Sequence, residues 1–382
     1  MSWIPLPGYA TAEATKAYAA QHAAHTGEGH FSELAKTRIR LSSIGVGTFP
    51  GNITIAADAE VARLVCRALE SGINVIDTAA HYRYGHALAA VGAGVREANL
   101  KGVPREAMFL ISKGGFLTLR GGKPIDFDAW FASEIEAQGL GSREDLAKNV
   151  HLLSPAYINY QLDLSRQFMG VATLDAFLID QPEIHIPVIG KEMLNRKLLA
   201  VFETLERACE DGRLRYYGIS TFEGFRVETD ANLFQSLTSM QGLAQKAAAT
   251  VTGKAQALGH FMIGQLPFNQ AMTEGFARFN QATGQGNVAS TLQAGYQLGL
   301  YMMGSHGMLK GRLAGTSTDA VMQSLPMLAN DAQRSIQFNR STPGLGTTLI
   351  GMSQSARLDD VLAVARWAPM KRDPYLQMYE RT

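Results

Sequence analysis

Eight short apolar segments, each running into polar or glycine-rich residues and most of them flanked by a helical repeat, predict an α/β fold. The expected form is a (β/α)8 TIM barrel, a single domain with an N-terminal extension and a long insertion after the third strand. Three observations carry this reading. Strands and helices alternate from Ile39 to Ile350 with no break in composition, so the strands belong to one parallel sheet. The 382 residues, 46% of them hydrophobic, are enough to bury one large core. The glycine fingerprint of the competing dinucleotide-binding sheet is absent. In Gly45-Val46-Gly47-Thr48-Phe49-Pro50-Gly51 a proline stands where a helix should open, and the last glycine comes one residue late.

The first strand is read over Ile39–Val46, leading into that glycine-rich loop. A helix follows at about 58–71, where Val61, Leu64, Val65, Ala68 and Leu69 recur at helical spacing and Gly72 supplies the stop. Val75–Ile76 is the second strand, with a helix at about 86–99, and Met108–Ser112 the third. Leu174–Ile179 is the fourth, with a helix at about 191–211. Leu214–Ile219, Phe261–Leu266, Leu300–Met303 and Thr348–Ile350 complete the set; a helix precedes the seventh, and another at about 355–367 follows the last.

Residues 1–37 are Ala-rich with one short helix over 11–22, and are expected as an extension wrapped on the surface or partly mobile. The barrel is assigned to 38–370 and a C-terminal tail to 371–382. Some sixty residues separate Lys113 from Leu174. Of these, 155–168 read as a helix, whereas 114–150 carry Phe116, Trp130, Phe131 and many charges. An insertion after a strand's carboxyl end falls on the active-site face of a barrel, which makes 114–150 the candidate substrate lid.

Lys and Arg number 35 against 34 Asp and Glu, a formal charge of +1, so no long-range field favours nucleic acid or an anionic membrane. The expected partner is a small-molecule substrate; oligomeric state is not readable. Cys66 and Cys209 fall in helices without metal-type spacing and are read as reduced packing residues. His30, His81, His86, His151 and His260 have no metal spacing with one another, and no metal is expected. The N-terminus lacks a basic start followed by an apolar core, and no stretch reaches the ~18 apolar residues of a membrane span; a cytoplasmic protein is expected.

Asn74–Gly85 turns abruptly from apolar strand to chemistry: Asp77, Thr78, His81 and Tyr82 stand close together, and Lys113 and Asp180 end later strands. A lysine against a tyrosine hydroxyl stabilises phenolate and lets the tyrosine move a proton, while a carboxylate beside the lysine orients it. Taken singly, Asp77 can cap a turn, Lys113 can snorkel from a strand end and Tyr82 can pack in a loop.

The words around these residues agree with the proton-transfer reading. Asp77-Thr78-Ala79-x-x-Tyr82, Gly85, Ile111-Ser112-Lys113, Leu174-Asp175, Ile179-Asp180-Gln181-Pro182-Glu183 and Gly212-Arg213-Leu214-Arg215-Tyr216-Tyr217-Gly218-Ile219-Ser220-Thr221 resemble the aldo/keto reductase family in order and spacing. The resemblance runs from about Arg40 to Trp367. It implies an eight-fold barrel that binds a nicotinamide cofactor without a Rossmann fold. Tyr82 becomes the general acid, Lys113 the neighbour that lowers its pKa and Asp77 the partner of that lysine.

For the cofactor, the resemblance assigns Thr48 at the end of the first strand, and Ser220 and Thr221 to the nicotinamide carboxamide, with threonine in place of asparagine. Gln265 takes the glutamine position of the sixth strand and Tyr301 the ring that stacks on nicotinamide. Ser305 and Gly307 open a loop over the pyrophosphate. Ser353 and Arg357 belong to the adenosine-phosphate segment, and Arg357 carries the expected preference for NADPH over NADH, making NADP the expected cofactor.

One position departs. Where the family has histidine at the end of the fourth strand, this chain has Asp180. An ionised aspartate only accepts hydrogen bonds and repels a developing oxyanion. Held protonated by burial it would donate, and a carboxylic acid here goes, by the same resemblance, with reduction of an activated C=C bond. Carbonyl reduction is thus the leading expectation. C=C reduction or another altered redox reaction follows, and last a non-catalytic regulatory barrel like the potassium-channel β subunits. His185 is a candidate to swing in for the missing imidazole, though a loop role suits it better. His81 and Tyr84 flank Tyr82 within reach of substrate, and a structural role is expected for both.

Overall fold

The computed structural model describes residues 4–49, 51–283, 286–354 and 356–380. Pro50 of the glycine-rich loop, Ser355 at the head of the last expected helix, and Arg381 and Thr382 of the expected tail lie outside the described residues.

Eight parallel strands close into a barrel. They are β1 (Ile44–Gly47), β2 (Val75–Asp77), β3 (Phe109–Gly114), β4 (Leu174–Asp180), β5 (Leu214–Ser220), β6 (Phe261–Pro267), β7 (Tyr301–Ser305) and β8 (Thr347–Gly351). Gly351 lies opposite Gly47, which closes the ring between β8 and β1. The principal outer helices are α1 (Ile55–Glu70), α2 (His86–Leu100), α3 (Pro155–Met169), α4 (Ile186–Glu210), α5 (Leu237–Thr252), α6 (Thr291–Gln297), α7 (Asp331–Arg340) and α8 (Ala356–Ala365).

Local chemistry sets the ends of these elements. Thr54 caps α1 by accepting from the Ala57 amide, and Ser154 caps α3 by accepting from Tyr157, with Pro155 in the first turn. Gly72 (φ 92°) turns the chain from α1 towards β2, a conformation few L side chains adopt. α4 begins earlier than its periodicity suggests because it runs through a break at Gly190 (φ 77°). Two helices, α5 and α7, have no counterpart in the sequence reading. α5 is rich in Ala and Thr, and its buried face is mostly alanine; α7 has a polar mean composition but packs against the barrel.

The first expected strand is in fact two. Arg40–Ser42 pairs antiparallel with Phe31–Glu33, and only Ile44–Gly47 enters the barrel. The Ser42 hydroxyl donates to the Ile44 carbonyl (2.7 Å) and the Ser42 amide to Asn74 Oδ1 (2.8 Å), which bends the chain between the two pieces. The resulting hairpin lies across the amino-terminal end of the barrel. There Leu34, Ile39 and Leu41 pack with Val75, Phe109, Ile263 and Tyr301 as a floor. The helix Ala12–His22, capped by Thr11, flanks it.

Inward side chains follow the two-residue period of a strand. Phe109 and Ile111, Ala176 and Leu178, and Ile263 form one buried cluster inside the barrel, while a larger cluster fills the space between strands and helices. After β3 the insertion has its own apolar cluster of Leu117, Phe131, Ile135, Leu146, Leu152 and Tyr157, under a helix at Phe127–Phe131 and a short hairpin pairing Leu146–Ala147 with His151–Leu152. Beyond the barrel, Arg372–Tyr379 is a helix that buries Tyr375 and Met378.

Candidate active site

The inward rows of the barrel end in polar groups. Val75 leads to Asp77 on β2, Ile111 to Lys113 on β3, Leu178 to Asp180 on β4 and Ile263 to Gln265 on β6, each two residues beyond a core position. Register then sets them side by side: Asp180 is opposite Ser220, and Ser220 opposite Gln265. Five strands thereby deliver one polar cluster at the carboxyl end of the barrel.

Lys113 Nζ is bonded to Asp77 Oδ1, donates to Tyr82 Oη at 3.1 Å and reaches the Thr78 carbonyl at 3.3 Å. The other Asp77 oxygen accepts from Gln265 Nε2 (3.1 Å), whose Oε1 accepts from Ser220 Oγ (3.0 Å). Thr48 Oγ1 donates to the Asp77 carbonyl (3.1 Å), tying β1 to the same group. Asp77, Lys113 and Asp180 are all buried.

Burial disfavours the Lys113 cation, yet the Asp77 carboxylate, its hydrogen bond to Lys113 and the nearby Asp180 more than offset it and hold the ammonium charged. The Tyr82 hydroxyl is pushed well above its usual value. Burial dominates, Lys113 pulls it down, and Asp77 and Asp180 push it up. The lowering expected from Lys113 is therefore present but outweighed by desolvation, and the Tyr82 hydroxyl stays protonated. Burial pushes the Asp180 carboxyl up to about 6 against the opposing pull of Lys113 and the neighbouring Ser220 hydroxyl.

The residues assigned to the cofactor divide into three groups. Thr48, Ser220 and Gln265 lie in the cluster just described, and Thr221 follows Ser220 with its amide donating to the Gln265 carbonyl (2.9 Å). Ser305 ends β7 and Gly307 follows it, while Ser353 follows β8 and Arg357 lies in the first turn of α8. A Cβ on Gly311 would stand 3.8 Å from Arg357 Nη1, and one on Gly51 would stand 3.5 Å from Ser353. A Cβ on Gly307 would come within 2.9 Å of Ile350, so that turn hugs β8 closely.

Tyr301 is the exception. It opens β7, opposite Ile263, and its hydroxyl bonds Thr347 (2.9 Å) and Ser32 (3.0 Å) in the barrel floor, at the end remote from the cluster. Its inward parity is as expected, but it lies at the wrong end of the strand to stack on a ring bound among Ser220, Thr221 and Gln265.

His185 is also unavailable to replace a missing imidazole. It is buried, and its Nε2 lies 2.9 Å from His151 Nδ1, while His151 Nε2 lies 2.7 Å from the Asp180 carbonyl. A carbonyl only accepts, so His151 carries its proton on Nε2 and His185 donates to Nδ1. The two rings pin the end of β4.

The sequence reading missed an aromatic rim. Phe49 and His81 flank the Tyr82 ring edge-on at 5.1 and 4.8 Å, Phe116 lies 4.8 Å from His81, and Phe222 meets His306 at 5.3 Å. The available signal was position, since each follows a strand's carboxyl end within a few residues. Among the described residues, no group of three or more His, Cys, Asp or Glu side chains is placed to hold a metal ion, and no helix is long and apolar enough to cross a membrane.

Residues 43–237, just over half of the chain, match the model of the aldo/keto reductase family. Over 150 residues the chain is 30% identical to an NADH-specific methylglyoxal reductase of Escherichia coli K12, covering 38% of this chain and 40% of that one. Over 185 residues it is 26% identical to a 9,11-endoperoxide prostaglandin H2 reductase of Trypanosoma cruzi, covering 48% and 46%. The matched segments thus span less than half the length of these curated relatives.

Among solved structures, the fold is similar to an aldo-keto reductase from Bacillus halodurans in its holo form (TM-score 0.58, 16% identity, 94% of this chain and 96% of that one). It is equally similar to one from Klebsiella pneumoniae in complex with NADP and acetate (TM-score 0.58, 17% identity, 92% and 94%). With the barrel in place and the family model covering the segments that carry Asp77, Tyr82, Lys113, Asp180 and Ser220, the chain belongs to the aldo/keto reductase family.

Proposed function

We propose that this protein reduces the carbonyl group of a small organic substrate with a nicotinamide dinucleotide, Tyr82 giving the proton. The observation that carries this reading is the Tyr82–Lys113–Asp77 chain, its lysine and aspartate buried and its tyrosine half-buried, with 3.1 Å between Lys113 Nζ and Tyr82 Oη. The residues present fit the cofactor. Ser220 and Gln265 offer an amide-binding pair at the mouth, and Arg357 stands exposed beside the Gly311 turn, where an anionic phosphate would find it. A bound reduced nicotinamide would supply the hydride.

The protein's own part is electrostatic and acid–base. Lys113 stays charged and stabilises the phenolate that remains when Tyr82 gives up its proton. Asp77 holds Lys113 on that line, and Gln265 fixes the second Asp77 oxygen so that the carboxylate cannot rotate away. Arg357 supports NADPH as the preferred form, whereas one curated relative is NADH-specific by name; the two dinucleotides are to be compared directly.

A second reading, reduction of an activated C=C bond, draws support from Asp180, whose carboxyl burial lifts to about 6. A protonated Asp180 would donate to an enone oxygen, and that activity would rise as pH falls through about 6.

Quenching of tryptophan fluorescence by NADPH and NADH measures binding. Single-turnover cofactor oxidation with α-oxoaldehydes, aromatic aldehydes and enones then tests the reaction. Carbonyl turnover abolished by Tyr82→Phe is the expected result. Tight dinucleotide binding with no oxidation by any substrate would instead favour a non-catalytic nucleotide-binding barrel.

A further inference from the structure

Carbonyl reduction by this site needs a second, neutral donor to the substrate oxygen, and Asp180 is a poor one above its pKa. A neutral imidazole N–H can be that donor. His151 and His185 are spent on each other and on the Asp180 carbonyl. His306 turns Nδ1 to the Ser305 hydroxyl at 3.1 Å and packs its ring on Phe222 rather than on Tyr82. That leaves His81, in the turn between β2 and Tyr82.

The His81 ring is wedged between Tyr82 (4.8 Å, interplanar angle 81°) and Phe116 (4.8 Å, 41°), which fixes its plane. Its Nδ1 is buried and has no hydrogen-bond partner. A proton placed there would be an unpaired buried donor, the costlier of the two ways to leave a ring nitrogen alone, so the neutral ring carries its proton on Nε2. Nε2 lies 3.9 Å from Asp180 Oδ2, beyond hydrogen-bond reach, and the side chain keeps 18% of its surface exposed. The Nε2–H group is therefore unspent, next to Tyr82 and facing the carboxylate that occupies the family's histidine position.

We propose that His81 supplies the imidazole donor of this active site, its Nε2–H and the Tyr82 hydroxyl forming a two-donor cradle for the substrate carbonyl oxygen, with the Tyr82 and Phe116 rings holding the imidazole in place. This rests on the carbonyl-reductase reading above. In the step itself the C=O π bond breaks, carbon takes a hydride from the reduced nicotinamide dinucleotide and oxygen takes the Tyr82 proton. His81 donates a hydrogen bond and transfers no proton. The histidine has thus moved from the fourth strand to the loop after the second while serving the same substrate atom.

The test uses His81→Leu, His81→Gln and the double variant His81→Leu/Asp180→His, with dinucleotide binding followed by tryptophan quenching in each. His81→Leu is expected to lower single-turnover carbonyl reduction by roughly a hundred- to thousandfold, the cost of one oxyanion donor, with NADPH binding unchanged. His81→Gln, which keeps a donor, should recover at least about tenfold, and the double variant should restore turnover from the other side of the mouth. Long-range 15N NMR of the parent protein at neutral pH should find His81 as the Nε2–H tautomer.

Carbonyl turnover by His81→Leu within about threefold of the parent, or an Nδ1–H tautomer, overturns the assignment of His81 and leaves the reductase reading standing. A parent that binds NADPH but reduces no carbonyl overturns both.

Discussion

The buried ion pair at the foot of the barrel gives the most quantitative prediction. Asp175 Oδ2 accepts from Arg105 Nη2 (2.7 Å) and the Leu110 amide (2.9 Å), and Oδ1 from the Ala10 amide (2.6 Å). Arg105 also donates to the Met108 and Thr173 carbonyls, and both side chains are 1% exposed. Burial pushes the Asp175 carboxyl up while Arg105 pulls it back.

Asp175→Asn removes the only negative charge that these contacts set against the guanidinium and turns an NH2 towards groups that already donate. Breaking such a pair by removing one partner costs about 3–5 kcal/mol, because it strands a buried charge. At about 2 °C per kcal/mol for a large domain, Tm falls by about 6–10 °C in a thermal scan. Asp175 stands at the start of β4 and Asp180 at its end, about 16 Å along the strand. NADPH binding and single-turnover rates of the folded variant should therefore stay within about twofold of the parent. A Tm loss under about 2 °C, or a selective loss of turnover at full stability, would refute the view that the foot of the barrel is structural and its mouth chemical.

Other consequences follow from the same geometry. Lys113→Met should cut turnover by at least about a hundredfold and move the phenolate absorbance transition of Tyr82 to still higher pH, since Lys113 is the charge that pulls that hydroxyl down. Gly218→Ala should prevent accumulation of folded protein, because the added Cβ would sit 1.9 Å from the Ile263 carbonyl between β5 and β6. Stability should fall on acidification. His30 and His151 are buried and held down to about 3, so below their unfolded value of 6.5 the unfolded chain takes up protons that the fold does not, costing about 1.4 kcal/mol per pH unit for each. Glu183, raised to about 7, works in the opposite sense, its stabilising contribution being lost as pH rises from 4.5 to about 7; in Glu183→Gln the acid-side loss measured by urea denaturation should therefore be steeper.

Much of the molecule was legible in the sequence because the barrel repeats one rule. Short apolar segments ending in a polar group located β2, β3 and β4 and, with them, Asp77, Lys113 and Asp180, while Gln265 on β6 was reached through the family resemblance. What stayed hidden was the end of a strand on which a residue lies when no pattern marks its start. Tyr301 has the right parity and is a floor residue, because β7 begins at it rather than before it. The split at Ser43 was equally invisible, since Ile39–Val46 reads as one strand and the bend comes from bonds to Asn74 and Ile44 that periodicity does not encode. The role proposed for His81 was out of reach for a similar reason. Nothing in the sequence says that its Nδ1 has no partner, or that His151 and His185 are bound to each other.

The stem of the insertion has a practical meaning. The Leu152 amide donates to the Gly115 carbonyl and the Leu117 amide to the Val150 carbonyl, both at 2.8 Å, so the two ends of 118–149 are held together below the apolar cluster they carry. A Cβ on Gly115 would overlap the His151 ring at 2.2 Å, which makes that glycine the hinge pin of the stem. Everything beyond the stem is a cassette whose length changes at little entropic cost. The link from His151 to the Asp180 carbonyl lies below the cut, so segments exchanged there would arrive at a mouth whose acid–base groups have not moved.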